Sequence, residues 1–512
     1  MNTADWSKGL AGTGEFDWGS GVQRLDGYGP ELAESWQTPE IGIWVFQIRK
    51  GVHWALNPSS EASRLMNGRE YTADDAVWST RQLLSSPRSW INLSQPAVAK
   101  AATIEKTGPW EVTFKSPVDP FTGLFWLAQG GGFNYHFPRE VKEKYGDMQD
   151  WHTAEGTGPF MLNDFVSGSV ATLIRTPNYW EKDPAGAGKG NQLPYADTIK
   201  LLIVQDISTQ MAALRTGRAD WLDLVEGEDA RSLIRTNPRI QTKKYVPPPY
   251  GVAMRTDKQD LPFKDKRVRQ ALMMATDFEA LKKDLYGGEA EILSTPVNSA
   301  YKGLYIPLEQ MPASVQALYK YSPEGAKKLL AEAGYPNGFK TKILVQNTSS
   351  QLDPAAVFKA MWAKVGVDVE IQPREAAVYT SINSNRSHEE LVWRTLPSST
   401  LTNFYAQTNI RGTGVNNPSY INEPPGKDPV MEAAFQEIQK NVIMNMPKAE
   451  EIFKGEVPHI LEEAYWVPNV APYSYFIWQP WIKNYHGEPS LRQFPQYIWV
   501  DQELKAQMTG GK

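Results

Sequence analysis

The sequence predicts an α/β protein of two or three lobes, and three observations carry that expectation. Helix and strand alternate in the second half, the length exceeds one hydrophobic core, and a stiff proline run lies near mid-chain. At 512 residues the chain is longer than the roughly 250–300 residues at which single cores stop growing. A helix followed by a strand, twice over, is the pattern of an α/β layer.

The elements follow in chain order. Thr72 is placed as an N-cap, with Asp74 and Asp75 in the first turn and Ala76, Val77 and Thr80 continuing the helix; the helix dipole favours carboxylates there. Gly156-Thr157-Gly158-Pro159-Phe160 predicts a tight turn whose glycines take angles closed to other residues, feeding an extended run from Phe160. Val170 to Ile174 predicts a strand that ends in a Pro-Asn turn before Tyr179 and Trp180. Tyr245-Val246-Pro247-Pro248-Pro249-Tyr250 is polyproline-like and precedes the short extended stretch Gly251 to Arg255; it marks either a surface loop or a crossing between lobes. Ser322-Pro323-Glu324 starts a helix with Pro323 at its first position and Gly334 at its end, and Ala326, Leu329, Leu330 and Ala333 form its apolar face. Phe358, Met361, Trp362 and Val365 have helical spacing up to Gly366, and Val367 to Ile371 then alternates as a half-buried strand.

Composition excludes several classes. The net charge of −5 argues against a nucleic-acid surface, which needs a basic excess, and no run reaches the roughly 18 apolar residues of a membrane span. With no cysteine, disulfides, thiolate metal sites and a cysteine nucleophile are excluded. Gly186-Ala187-Gly188-Lys189-Gly190 lacks the spacing and the Ser/Thr of a P-loop and reads as a flexible loop. There is no G-x-S-x-G and no H-E-x-x-H, and the six histidines are scattered. No carboxylate pair stands out among the 58 acids, so neither an enzyme nor a resident metal or cofactor is expected; a glycan-hydrolysing pair is the enzyme alternative.

Aromatic residues are plentiful, with 18 Trp, 22 Tyr and 18 Phe, and large flat side chains suit a pocket that grips ligands by stacking. Trp36, Trp44, Trp54, Trp78, Trp180, Trp221 and Trp362 fall within structural segments. Three other stretches are candidates for ligand contact. Gln129-Gly130-Gly131-Gly132-Phe133-Asn134-Tyr135 is a glycine-rich loop with polar groups at Gln129, Asn134 and Tyr135. Trp393, Arg394 and Leu396 lead to Asn403 and Tyr405, and Asn416, Asn417 and Tyr420 follow. Arg394 offers a positive fork suited to a carboxylate, a phosphate or sugar hydroxyls; the bland alternative is an ion pair with Glu389 or Glu390.

Six blocks in order carry a resemblance. They are Leu32-Ala33-Glu34-Ser35-Trp36 with Trp44 to Val52, Tyr71-Thr72-Ala73-Asp74-Asp75-Ala76-Val77, the Gly156 to Phe160 turn with Arg175-Thr176-Pro177-Asn178-Tyr179-Trp180, Asp197 to Asp220, Phe263 to Leu272, and Ala331-Glu332-Ala333-Gly334-Tyr335-Pro336-Asn337-Gly338-Phe339. Together they resemble the family 5 extracellular solute-binding proteins, the dipeptide and oligopeptide-type receptors of ABC importers. The resemblance implies a two-lobed periplasmic-binding-protein-like fold of type II, in its large form with an extra subdomain. Residues 1–257 and 473–512 would form the first lobe and residues 258–472 the second, joined by a hinge. It further implies capture of a small ligand, a permease partner, a monomer, and a place outside the cytoplasmic membrane, periplasmic or lipid-anchored. The three candidate stretches would line the cleft. In the family a tryptophan is followed three residues later by an aspartate that holds the ligand's α-ammonium; here that position is Leu396. The departure makes a free peptide N-terminus a doubtful anchor and opens the alternative of an oligosaccharide or another amine-free solute. Met1-Asn2-Thr3 begins without a basic or apolar leader, which leads to the expectation of a truncated start that has lost the first lobe's opening strand.

Overall fold

A computed structural model describes residues 2–18, 27–123, 135–147, 149–177, 179–294, 296–301, 303–397, 401, 417–488 and 494–510. The chain divides into two compact units: Met1–Asn92, Pro96–Tyr245 and Ser474–Lys512 in one, and Leu93–Gln95 with Val246–Tyr473 in the other.

The first unit carries three sheets of three or four strands. One has the order Ala33–Glu40, Ile43–Ile48, Glu111–Lys115, Thr103–Gly108. The alternate residues Trp44, Phe46 and Ile48 are buried, the period-2 pattern of a one-sided sheet. The helix Ala73–Ser85 packs on it, and the Asp75 carboxylate reaches back to the Thr72 amide at 2.9 Å. Asp75 does more than answer the helix dipole, because Arg69 clasps it at 2.9 and 2.7 Å and also bonds Glu140. Asp74 points outward to Lys106. A second sheet is the antiparallel meander Phe160–Val166, Val170–Arg175, Thr198–Leu202.

The turn that feeds this meander works differently from its sequence expectation. Neither Gly156 nor Gly158 has a positive φ. Their carbonyls are what is used: Gly156 O accepts the Ala55 amide, and Gly158 O and Pro159 O accept the Thr176 hydroxyl and amide. The Gly186 to Gly190 stretch is likewise more ordered than its composition suggests. It makes a short 3-10 turn in which a Cβ at Gly188 would stand 1.9 Å from the Tyr195 hydroxyl, and that hydroxyl bonds Asp183 at 2.7 Å. An aromatic core gathers Trp6, Trp18, Tyr28, Tyr179, Phe494 and Tyr497 from distant parts of the chain, with Trp6 stacked on Tyr497 at 4.5 Å.

The third sheet of this unit has the order Trp221–Glu226, Ser474–Trp478, Gln241–Tyr245. Its last two strands are antiparallel, with Tyr245 opposite Ser474.

The second unit is an α/β layer around a five-stranded sheet, in the order Val367–Arg374, Phe339–Gln346, Leu391–Thr395, Tyr250–Met254, Trp466–Pro468. The first three strands run parallel and the last two pair antiparallel. Tyr250–Met254 therefore belongs to the second unit, and the chain crosses before this strand, after Tyr245, instead of just after it. Helix Pro323–Glu332 is capped by Ser322, whose hydroxyl accepts the Gly325 amide, and Gly334 beyond it has φ +92°. Helix Ser349–Ala363 places Phe358 and Trp362 in the core. It precedes Gly366, against which Gly338 packs so closely that a Cβ at Gly338 would stand 1.9 Å from Gly366 O. That contact seats strand Val367–Arg374 beside Phe339–Gln346 over eight paired residues.

Candidate ligand-binding site

In open α/β sheets, ligands bind beyond the carboxyl ends of the parallel strands. In the second unit that edge is formed by Gln346 and Thr395, the last residues of two parallel strands, with Tyr250 opposite Thr395 on the antiparallel neighbour. Gln351 comes from the first turn of helix Ser349–Ala363, and Tyr379 and Asn383 from helix Ala376–Ser384. With Trp393 and Arg394 these side chains enclose a cavity of about 130 Å³.

Trp393 is 1% exposed. Its ring meets Phe358 edge-on at 5.1 Å, and its indole N–H donates to Gln351 Oε1 at 2.9 Å. It is thus a core side chain that holds Gln351. Tyr379 donates its hydroxyl to the Trp393 carbonyl at 2.7 Å, and burial pushes its phenol up to about 12. Arg394 is half-buried; its Nη1 donates to Asn383 Oδ1 and its Nε to the Thr395 carbonyl, both at 3.2 Å. Removal from water pulls its guanidinium below the usual range, since burial disfavours the charged form. The two acids weighed as its partners are turned to other groups: Glu389 accepts Lys342, and Glu390 accepts the Thr341 hydroxyl.

Leu396 is buried, donates its amide to the Pro249 carbonyl at 2.8 Å, and lays its Cδ1 against Gly251. Asn417 is fully buried and closes a turn, bonding the Ile421 carbonyl at 2.9 Å and amide at 2.8 Å. Tyr420, at φ +56°, lies between the guanidinium groups of Arg255 and Arg386, 4.1 and 3.8 Å from its ring centre. The structure thus brings Trp393, Arg394 and Leu396 to one strand end, whereas Asn417 and Tyr420 serve a separate turn. Tyr135, in the first unit, is 71% exposed. Gln129, Asn134, Asn403, Tyr405 and Asn416 lie outside the described residues.

Sequence reasoning missed Tyr250, Gln346, Gln351, Tyr379 and Asn383. Gln346 and Gln351 flank the turn from a strand into a helix, and the carboxyl-edge rule would have found them once that strand was known to be parallel.

A larger cavity of about 540 Å³ lies in the first unit, lined by Glu61, Asp150, Trp151 and Glu155 among others. Its size is no argument for ligand capture. Three of its acids are already engaged, Glu61 with Lys144, Asp150 with His152 and Glu155 with the Ser60 hydroxyl, and it holds none of the candidate residues. Among the described residues no group of three or more His, Cys, Asp or Glu is placed to hold a metal ion, and no helix is long and apolar enough to cross a membrane.

Residues 27–417 match the bacterial extracellular solute-binding proteins, family 5 Middle. The chain belongs to this family. It is 28% identical over 373 residues to heme-binding protein A of Haemophilus influenzae, covering 68% of this chain and 62% of that protein. It is 25% identical over 513 aligned positions to the probable di/tripeptide-binding protein 5 of Pseudomonas aeruginosa, covering 94% and 87%. Among solved structures, the ABC transporter-associated periplasmic binding protein DppA from Helicobacter pylori, in complex with peptide STSA, superposes with a TM-score of 0.68 at 20% identity, over 93% of this chain and 90% of that one. The fold is accordingly the two-lobed α/β fold of this family, which is one of extracellular solute-binding proteins. Neither these relatives nor the burial of Trp393 supports the oligosaccharide alternative.

Proposed function

We propose that this family 5 protein captures a peptide-like or other small polar ligand by closing two lobes about a hinge, and passes it unaltered to the transmembrane subunits of an ABC permease. The observation that supports hinge closure is the pairing of Tyr245 with Ser474. These residues are the last before, and the first after, the segment Val246–Tyr473. The two connections therefore leave one sheet side by side, and a pair of adjacent crossings concentrates the backbone change of a closure at a few residues. The protein acts as a monomer, held outside the cytoplasmic membrane in the periplasm or by a lipid anchor. Peptide ligands are favoured by the names of the peptide-binding relatives. Arg394 and its neighbours at the strand edge contribute contacts from the second lobe.

Small-angle scattering tests the closure. A peptide that raises the melting temperature is expected to lower the radius of gyration of the purified chain, and to be recovered intact after prolonged incubation. A stabilising peptide that leaves the radius unchanged would refute hinge closure, and a cleaved one would refute a purely binding role.

A further inference from the structure

We infer that the stretch Glu289 to Glu291, with the turn at Asn298 and Ser299, is a clamp that grips both chain crossings where they enter the second unit. Closure then bends the chain at the links Tyr245 to Val246 and Tyr473 to Ser474, and the clamp sets how widely the lobes stand apart without ligand. The inference rests on the hinge reading above and names what regulates it.

Each crossing is held from its first residue in the second unit. On the incoming side, Asn298 Nδ2 donates to the Val246 carbonyl at 2.8 Å, while Asn298 Oδ1 accepts the Ala300 amide at 2.9 Å. Asn298 is buried, and with both ends of its amide engaged the side chain has one orientation. On the outgoing side, the Tyr473 amide donates to the Glu289 carbonyl at 2.9 Å, and Ala290 and Glu291 pair antiparallel with Pro472 and Ala471. The Glu291 carboxylate accepts the Tyr473 hydroxyl at 3.2 Å on one oxygen and the Ser299 hydroxyl at 2.5 Å on the other. Ser299 directly follows Asn298, so one carboxylate ties the grip on the outgoing crossing to the grip on the incoming one.

The crossings themselves are stiff. Val246, Pro247 and Pro248 each precede a proline and are confined to extended angles, and each proline has a fixed φ. The incoming chain therefore runs from Val246 to Pro249 as a strut, whose last carbonyl accepts the Leu396 amide at 2.8 Å. The Asn469 amide donates to the Tyr250 carbonyl at 2.7 Å, which joins the outgoing chain to the incoming one inside the second unit. In the first unit, Tyr245 and Ser474 end a ladder of five residue pairs. Held up to Tyr245 and Ser474 on one side, and from Val246 and Tyr473 on the other, the crossings are left with rotation at the intervening links. A few residues that absorb the whole dihedral change are what a hinge needs. Apparent affinity then scales with the fraction of molecules in the binding-competent arrangement, and the clamp governs that fraction.

The chain has no cysteine, so nitroxide labels can be placed at will. Lys115→Cys in the first unit and Lys328→Cys in the second, both exposed positions, report the separation of the lobes by double electron–electron resonance on the ligand-free protein. The expected result is a narrow distance distribution for the labelled parent and a broader one for Glu291→Ala and for Asn298→Ala. The double variant should broaden it further, each lost bond changing the ratio of conformers by about two- to tenfold. Tyr473→Phe and Asn298→Asp each delete a single donor with little change of shape; they should broaden it less, and they carry the test if an alanine variant fails to fold. Thr341→Val removes a bond of the same kind, from the Thr341 hydroxyl to Glu390 at 2.7 Å, away from the clamp, and should leave the distribution unchanged. Clamp variants that match the parent, or equal broadening in Thr341→Val, would overturn the inference while leaving the hinge reading in place. A peptide that raises the melting temperature without moving the parent's label distance would remove the hinge reading and the inference with it.

Discussion

Gly251→Ala tests the packing that separates Leu396 from a ligand-contacting role. Gly251 sits in the interior of the strand Tyr250–Met254, opposite Arg394 on one side and Pro468 on the other. A Cβ there would stand 2.4 Å from Val467 O, 2.6 Å from Leu396 Cδ1 and 2.8 Å from Pro468 Cα. The leucine methyl can rotate away. The other two atoms are backbone, held by the pairing of Val252 with Val467 and of Ala253 with Trp466, so the sheet itself must move. Overpacking of this kind costs about 1–3 kcal/mol, and displacement of backbone puts the steric cost near the top of that range. The better strand propensity of alanine returns about 0.5–1 kcal/mol, leaving a net loss of about 2 kcal/mol. For a unit of this size each kcal/mol lowers the melting temperature by about 2–4 °C, so a fall of about 4–8 °C is expected by calorimetry, with a matching drop in the urea midpoint. Gly156→Ala is the control: the nearest atom to its Cβ is 3.9 Å away, and its φ is not positive. It should be neutral or stabilise by up to about 1 kcal/mol through the unfolded chain. An unchanged midpoint for Gly251→Ala, or an equal loss at Gly156, would refute the reasoning.

Two further outcomes follow from the second unit. His459 donates to Asp428 at 2.8 Å, and this bond raises the imidazole above its usual range. Burial alone would raise the Asp428 carboxyl, but bonds from His459, the Met431 amide and Tyr465 outweigh it and hold it at about 2. The histidine contribution is therefore full below the ordinary value near 6.5 and lost as pH rises through the raised one. The carboxylate contribution is full above about 3.8 and lost as pH falls toward 2. The gap in urea midpoint between the native protein and His459→Gln should be widest near pH 5.5 and shrink by pH 8.5, and a gap that is constant with pH would contradict the pairing. Trp393→Ala removes a side chain that is 1% exposed and should cost about 3–5 kcal/mol in denaturant unfolding; a cost below about 1 kcal/mol would return Trp393 to the ligand-facing residues.

Much of the architecture was legible because local chemistry and final environment agree. Ser322 and Gly334 bracket a helix whose apolar face has no other use, and Val367 alternates with Val369 as a strand covered on one side. The block order from Leu32 to Phe339 brought the family with it. The glycine turn at Gly156 was found for the wrong reason, since its carbonyls and not its dihedral angles make the clasp. Trp393 reads equally well as a stacking platform or a core residue, because an aromatic at a strand end suits both.

By itself the sequence determined the family, the α/β layering and the positive group at Arg394, all of which depend on residue type and spacing along the chain. Tertiary structure decided that Tyr250–Met254 joins the second unit's sheet, that Leu396 packs onto Gly251, and that Asn383 turns its amide oxygen toward Arg394 and Gln351 its own toward Trp393. Those facts depend on which strand lies beside which and on which acceptors are already used. The strand pairing joins segments more than a hundred residues apart, and the side-chain bonds join residues 42 and 11 apart that lie on different elements, so no local pattern encodes either.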